Sequence, residues 1–245
     1  MHERAAYHYH EDVNWGLLRL WGKRAGLRVL DVGCGFATTS GRIQKLGNDV
    51  TGIDSSAEVA EIAGKRLGRI VVADLEDFDA VARGLGTARF DVLIFADVLE
   101  HLVWPLRTLR RYLEWLKDGG SVLISLPNVG LWSVRLALLA GRWDYDETGV
   151  LDRTHLRFFT RKSAQWLMRE AGLEAAKATY NPGLVRPFVP VAKRVLADET
   201  NPTMLMNSRT YRLYLKTIHP IERAVTALWP GLLAFQMIYE AKRRA

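Results

Sequence analysis

The stretch Arg28-Val-Leu-Asp-Val-Gly-Cys-Gly35 decides the fold. A short run of strand composition ends directly in a glycine pair, and Thr38 to Leu46 then reads as a helix stopped at Gly47-Asn48. A strand that passes through a glycine turn into a helix opens a parallel sheet, because the helix carries the chain back to start the next strand in the same direction. Glycines at such a turn let the backbone approach a ligand closely, and amides at the helix start face its polar groups.

Working outward, Val50–Ile53, Arg69–Ala73, Phe90–Phe95 and Ser121–Leu126 read as further strands, with helices over Ala57–Leu67 and Leu106–Leu116. Phe90–Phe95 is apolar almost throughout, as a strand covered on both faces requires. Val129–Ala140 reads as helical and 141–159 mostly as loop. Thr160 caps a helix over Arg161–Ala171 that Gly172 stops. Leu173–Tyr180 and Ala234–Ala241 complete a set of seven strands. The stretch 181–230 between them contains Pro182, Pro187, Pro190, Pro202 and Pro220 and reads as irregular. Such insertions usually form lids or binding surfaces. One domain over 1–245 is expected, with its core at 28–128 and acceptor-side insertions at 129–160 and 181–230.

The chain has 245 residues, 49% of them apolar, enough for one self-supporting α/β core. Its single cysteine, Cys34, excludes an internal disulfide framework and fits a reducing compartment. Met1-His2-Glu3-Arg4-Ala5 has no apolar secretion core, and charge interrupts every long apolar run, as Arg135 does within Leu131–Leu139. A cytoplasmic chain is expected. The formal charge of +7 is concentrated late, since Leu184 to Ala245 carries ten basic residues against four acidic ones. A basic face suits nucleic acid, anionic lipid or a phosphorylated substrate, or simply water. No arginine-rich run or RNA module favours nucleic acid. Leu131–Leu139 and Leu184–Leu196 mix apolar residues with Arg and Lys, which suits a membrane interface, the roof of an acceptor pocket or a homodimer contact.

Asp31 refines the ligand. A carboxylate two residues before Gly33 repels a pyrophosphate and suits a positively charged ligand such as a sulfonium or an ammonium. The third glycine of a dinucleotide fingerprint is replaced by Thr38, which argues against a nucleotide-dependent oxidoreductase. Asp54 ends the second strand, where it can accept ribose hydroxyls. Asp74 ends the third beside Leu75, where it can accept from an adenine amino group. Any one of these could be an ordinary strand-end or capping residue. Three at successive strand ends share one rim of the sheet.

Val29-Leu-Asp-Val-Gly-Cys-Gly35, Val50-Thr-Gly-Ile-Asp54, Ala73-Asp74-Leu75, the run Phe90 to Leu102 and Gly119 to Asn128 resemble the successive motifs of class I S-adenosylmethionine-dependent methyltransferases, nearest the ubiquinone-biosynthesis-type branch. Asp152 to Thr160 and Leu228 to Gln236 resemble bacterial members associated with surface-polysaccharide or secondary-metabolite pathways. The resemblance implies a Rossmann-like, seven-stranded, mostly parallel sheet with helices on both faces and a helical lid insertion. S-adenosyl-L-methionine is the implied cofactor and a small molecule, rather than a nucleic acid, the implied acceptor class. Gly33, Cys34 and Gly35 would line the methionine moiety, with Asp31 at its ammonium. Asp54 and Ser55 would hold the ribose side, Asp74 and Leu75 the adenine, and Ala96 and Asp97 would sit beneath the sulfonium. Tyr7 and Tyr9 would fold over as a flap.

A hydroxyl acceptor requires a base, and histidine titrates in the useful range. His101 follows Glu100 just past the fourth strand, and His155 lies in Arg153-Thr-His-Leu-Arg157. These two are the candidate bases, each with a plain structural alternative: bracing a helix start or packing a loop. Arg153 and Arg157 could hold an anionic acceptor group, and Tyr9 is the third acceptor-side candidate. Ligand spacing along the chain shows no metal set. A nucleic-acid methyltransferase and a non-catalytic partner subunit are the competing readings. Against the first, Ala96-Asp97-Val98-Leu99 stands where an amine-methylating motif would lie.

Overall fold

A computed structural model describes residues 12–185 and 209–244. Seven strands form one sheet: β1 (Arg28–Val32), β2 (Asp49–Asp54), β3 (Arg69–Val72), β4 (Phe90–Ala96), β5 (Leu116–Pro127), β6 (Leu173–Pro182) and β7 (Ala234–Arg243). Their spatial order is β3-β2-β1-β4-β5-β7-β6. The first five run parallel, and β7 runs antiparallel to both β5 and β6. The expected mixed, mostly parallel sheet is therefore present, with the last pair forming the antiparallel margin.

Residues alternate between the two faces, so each strand serves two cores. On one face α1 (Trp15–Trp21), α2 (Ser40–Lys45) and α3 (Ala57–Gly64) bury Leu17, Trp21, Ile43 and Ala63 against Val29, Val50, Val92 and Ile94. On the other, α4 (Phe78–Leu85), α5 (Pro105–Tyr112) and α7 (Arg161–Glu170) bury Val81, Leu109 and Leu167 against Leu30, Val32, Leu93 and Phe95. The capping chemistry read at Thr160 is present as a reciprocal pair with Ser163. Between α5 and α7 lies α6 (Trp132–Leu139), within the expected helical stretch.

The structure departs from the sequence reading in three places. α1 and α4 are short helices without a long apolar period, started by Asn14 and Asp77 side chains that accept from Leu17 and Ala80 amides. β5 begins at Leu116, ahead of the strand read from Ser121. The supposedly irregular stretch contains a twenty-residue helix, α8 (Arg209–Leu228), followed by the single turn α9 (Pro230–Leu233). One internal proline, Pro220, removes one ladder hydrogen bond, and the remaining ladder outlasts it. Pro187, Pro190, Pro202 and most of Leu184–Leu196 lie outside the described residues. Among the described residues no helix is long and apolar enough to cross a membrane.

Candidate cofactor and acceptor site

The parallel strand order reverses between β1 and β4, and ligands of open α/β sheets bind above the carboxyl ends at that point. Here Gly33 and Gly35 have φ of 69° and 51°, a region closed to most side chains. A Cβ on Gly33 would also lie 2.7 Å from a Val98 methyl. The amides of Gly33 and Cys34 both donate to the Ile53 carbonyl, at 2.8 and 2.9 Å. Asp54 fastens the turn from the next strand, accepting from Gly35 N at 2.9 Å and from Ser56 N at 3.1 Å. Each carboxylate oxygen has a second lone pair, so ribose hydroxyls can be accepted without releasing the turn. Ser55 is exposed at the same rim. Burial raises the Cys34 thiol far above its usual range, in keeping with packing rather than nucleophilic chemistry.

Asp31 is the costly residue of the turn. It is 4% exposed, and its Oδ1 has no hydrogen-bond partner. Burial pushes its carboxyl up to about 6, the Ser40 hydroxyl pulls it partly back, and the charge of Asp54 adds to the rise. A buried carboxylate oxygen with no donor is the arrangement a ligand ammonium would complete. Farther along the rim, exposed Asp74 accepts from Glu76 N at 2.9 Å, while Leu75 is buried and its carbonyl accepts from the Tyr112 hydroxyl. The donor set therefore fits an amino-acid head, a ribose and an adenine in that order.

Comparison with known proteins agrees with this geometry. A family model described as a methyltransferase domain matches residues 5–178. The chain belongs to that methyltransferase family. The cofactor of this family is S-adenosylmethionine. The chain is 31% identical over 152 residues to a ubiquinone biosynthesis O-methyltransferase of Cereibacter sphaeroides, covering 61% of each chain. It thus spans about three fifths of the length of those curated relatives. A Burkholderia pseudomallei protein of the same name is 29% identical over 75% of this chain and 78% of its own. Among solved structures, a SAM-dependent methyltransferase from Archaeoglobus fulgidus superposes with a TM-score of 0.58 at 17% identity, covering 92% and 91% of the two chains. Magnesium protoporphyrin IX methyltransferase from Synechocystis, solved with bound SAH, gives 0.55 at 16% identity over 93% and 78%. These likenesses show the fold.

Ala96 and Asp97 end β4 on the far side of the turn in this methyltransferase. Asp97 has φ of 56°, a conformation that costs a non-glycine residue roughly 1–3 kcal/mol and persists only when its surroundings enforce it. The Gln236 side-chain amide donates to both Asp97 oxygens, at 2.7 and 2.6 Å. Asn14 adds a longer contact of 3.4 Å and also donates to Ser125 Oγ. Gln236 is itself oriented by Asn181 at 2.6 Å, and Asn181 by Arg19 at 2.8 Å.

Just beyond Asp97 lies the acceptor-side grouping. Donor atoms of Glu100, His101 and His155 fall within 4.8 Å of one another, although His155 is distant in sequence. The sequence expectation of no metal-type set rested on spacing along the chain, and the fold creates this proximity from separate segments. The His101 and His155 rings meet edge-on, with centroids 4.8 Å apart. His155 Nδ1 faces the Val150 carbonyl at 3.2 Å, and His101 Nδ1 faces the Thr154 carbonyl at 3.2 Å. A carbonyl only accepts, so a hydrogen bond at either contact places the hydrogen on Nδ1 and leaves Nε2 as the basic nitrogen; the Thr154 hydroxyl also lies 3.3 Å from His101 Nδ1. Burial holds His155 below the usual imidazole range, and Val150 and Asp152 oppose it. Glu100 is 1% exposed, with no partner for Oε2. Burial, aided by Asp97, raises its carboxyl well above the ordinary range.

The two arginine candidates already have protein partners. Arg153 pairs with Glu147, and Arg157 donates to the Val103 and Leu156 carbonyls, at 2.8 and 3.2 Å. Tyr9 and Tyr7 lie outside the described residues. Glu100, Asn14, Asn181 and Gln236 were missed as site residues. Glu100 could have been noticed as an acid beside His101 at the end of an apolar strand. Gln236 stands out as a polar residue opening the apolar run of β7.

Proposed function

We propose that this methyltransferase transfers a methyl group from S-adenosylmethionine to a hydroxyl of a small aromatic acceptor. The observation that carries this reading is the pair of imidazoles, each with Nδ1 against a main-chain carbonyl, four residues past Asp97 and in the loop packed against it. Trp143, Tyr145 and Phe158 cluster beside His155, with ring centroids 5.3 to 6.3 Å apart, and supply faces on which a planar acceptor can stack. The O-methyltransferase names of the curated relatives point the same way.

When bound, the cofactor supplies a methyl group already activated on a cationic sulfur. The chain's own work is positioning and proton removal. Asp31 takes the ammonium, Asp54 the ribose, and Asp74 with Leu75 the adenine. His155 or His101 accepts the hydroxyl proton at Nε2, a contribution of about 10²–10⁴-fold. Alignment of the reacting atoms lowers the barrier by roughly 7–11 kcal/mol.

The test is turnover with labelled cofactor against catechols, sugars and amines, with His101→Ala and His155→Ala compared at matched cofactor occupancy. Full activity in both variants would remove the imidazole base. No cofactor binding in calorimetry would remove the entire reading. A chelator should leave turnover unchanged, whereas a loss restored by divalent cation would reassign the Glu100–His101–His155 grouping to metal binding.

A further inference from the structure

Four carboxylates line or approach the crevice, and three have evident tasks. On the proposed cofactor placement Asp31 would meet the amino-acid head and Asp74 the adenine, while Asp54 fastens the glycine turn. Asp97 differs. It ends β4, the neighbour of β1 opposite β2, so it bounds the crevice across from Asp54. Its backbone is held in the left-handed region, and its carboxylate is gripped from outside the parallel half of the sheet.

The grip is unusually directional. Gln236 lies opposite Pro127 in the β5–β7 ladder, and its amide reaches past β5 to both Asp97 oxygens. A carboxamide can rotate by half a turn and present its oxygen instead, which would repel the carboxylate. Asn181 prevents this by donating its own N–H to Gln236 Oε1 at 2.6 Å. Arg19 fixes Asn181 in turn, because a guanidinium only donates and so must meet Asn181 Oδ1, here at 2.8 Å. From Arg19 to Asp97 every donor and acceptor is therefore determined by an arginine on α1, an asparagine on β6 and a glutamine on β7. Nothing in the proposed proton transfer needs this chain.

We propose that Gln236, oriented through Asn181 and Arg19, positions the Asp97 carboxylate to distinguish the cationic methyl donor from its neutral thioether product. The two ligands differ at the sulfur by one methyl group and one positive charge. A fixed carboxylate on the methyl side attracts the donor, and that attraction ends when the charge leaves. The product is then the weaker ligand without any rearrangement of the crevice. This inference rests on the cofactor assignment and is independent of the acceptor.

Calorimetry on the full chain with S-adenosylmethionine, S-adenosylhomocysteine and sinefungin, whose amine restores a positive charge near the sulfur position, tests it. The wild type is expected to favour both cationic ligands over S-adenosylhomocysteine by about tenfold, a preference of the size one charge contact supplies. Asp97→Asn and Gln236→Leu should each reduce that preference to about twofold or less, with S-adenosylhomocysteine affinity nearly unchanged. A purely structural role would weaken all three ligands together, and that result overturns the inference. An unchanged preference in either variant also overturns it. If no ligand binds even to wild type, the cofactor assignment fails instead. Should Gln236→Leu fold poorly by circular dichroism, Arg19→Met removes only the outermost link and carries the same test.

Discussion

The cofactor rim and the acceptor side of this methyltransferase are built by different means. The rim takes Asp31, Gly33, Gly35 and Asp54 from one strand–turn–helix–strand unit, joined by main-chain hydrogen bonds and by the Asp54 carboxylate. The acceptor side brings Asn14, Glu100, His155, Asn181 and Gln236 together through side chains distant in sequence. The contrast teaches that the glycine turn and its carboxylates are built from local geometry, whereas the histidine pair and the grip on Asp97 depend on the completed tertiary structure.

Mutations should separate the two halves. The largest effect is expected for His155→Ala or His101→Ala, where turnover falls by about 10²–10⁴-fold with cofactor affinity unchanged. If His155 is the base, the acid limb of the turnover profile lies below pH 6.5, because burial lowers its affinity for a proton. A limb above that value excludes it. On the rim, Asp31→Asn should weaken S-adenosylmethionine binding by about 10²-fold in calorimetry, as expected for loss of a buried charge partner. In the cofactor-free chain the same residue has a second signature. Its folded carboxyl titrates near 6 against an ordinary 3.8, so the folded state holds the proton more tightly than the unfolded state does. Ionisation then costs stability as pH rises through 6, and the cost disappears towards pH 4. Denaturant melts of wild type and Asp31→Asn should diverge by about 3 kcal/mol across that window.

Asn128→Ala probes the junction of the halves. Asn128 is fully buried, donates to the Ala234 carbonyl at 2.8 Å and accepts from Gly130 N at 3.0 Å. Its loss should cost about 2–3 kcal/mol in the same melts and reduce turnover more than cofactor binding. Arg142→Ala sets the lower end. Its ion pair with Asp144 is well exposed, so a change beyond about 0.5 kcal/mol would be unexpected.

The parallel sheet and the glycine turn were legible because each is encoded by neighbours in sequence, whereas the spatial order of the strands was not. The place of Asp31 two residues before Gly33 was read for the same reason, although its orphaned oxygen was not. α8 was hidden by weighting Pro220 as a terminator when a long helix can absorb one proline. The Asp97 grip could not be read, since Gln236 is 139 positions away and its partner is set only by the antiparallel register of β7. His155 was a candidate from its loop, but its closeness to Glu100 and His101 required the fold.

The loop carrying His155 is fastened in a way that bears on its opening. The amides of Leu156 and Arg157 both donate to the Glu100 carbonyl, at 2.8 and 2.9 Å. One acceptor shared by two donors couples the two amides, because the Glu100 carbonyl lies in the short 3-10 turn Leu99–His101 that follows β4. Leu156 and Arg157 should therefore exchange their amide hydrogens as a single unit, with one opening free energy and one response to denaturant. The peptide that carries Glu100 would then act as the latch for solvent entry to the histidines, whatever the Glu100 side chain contributes to the chemistry.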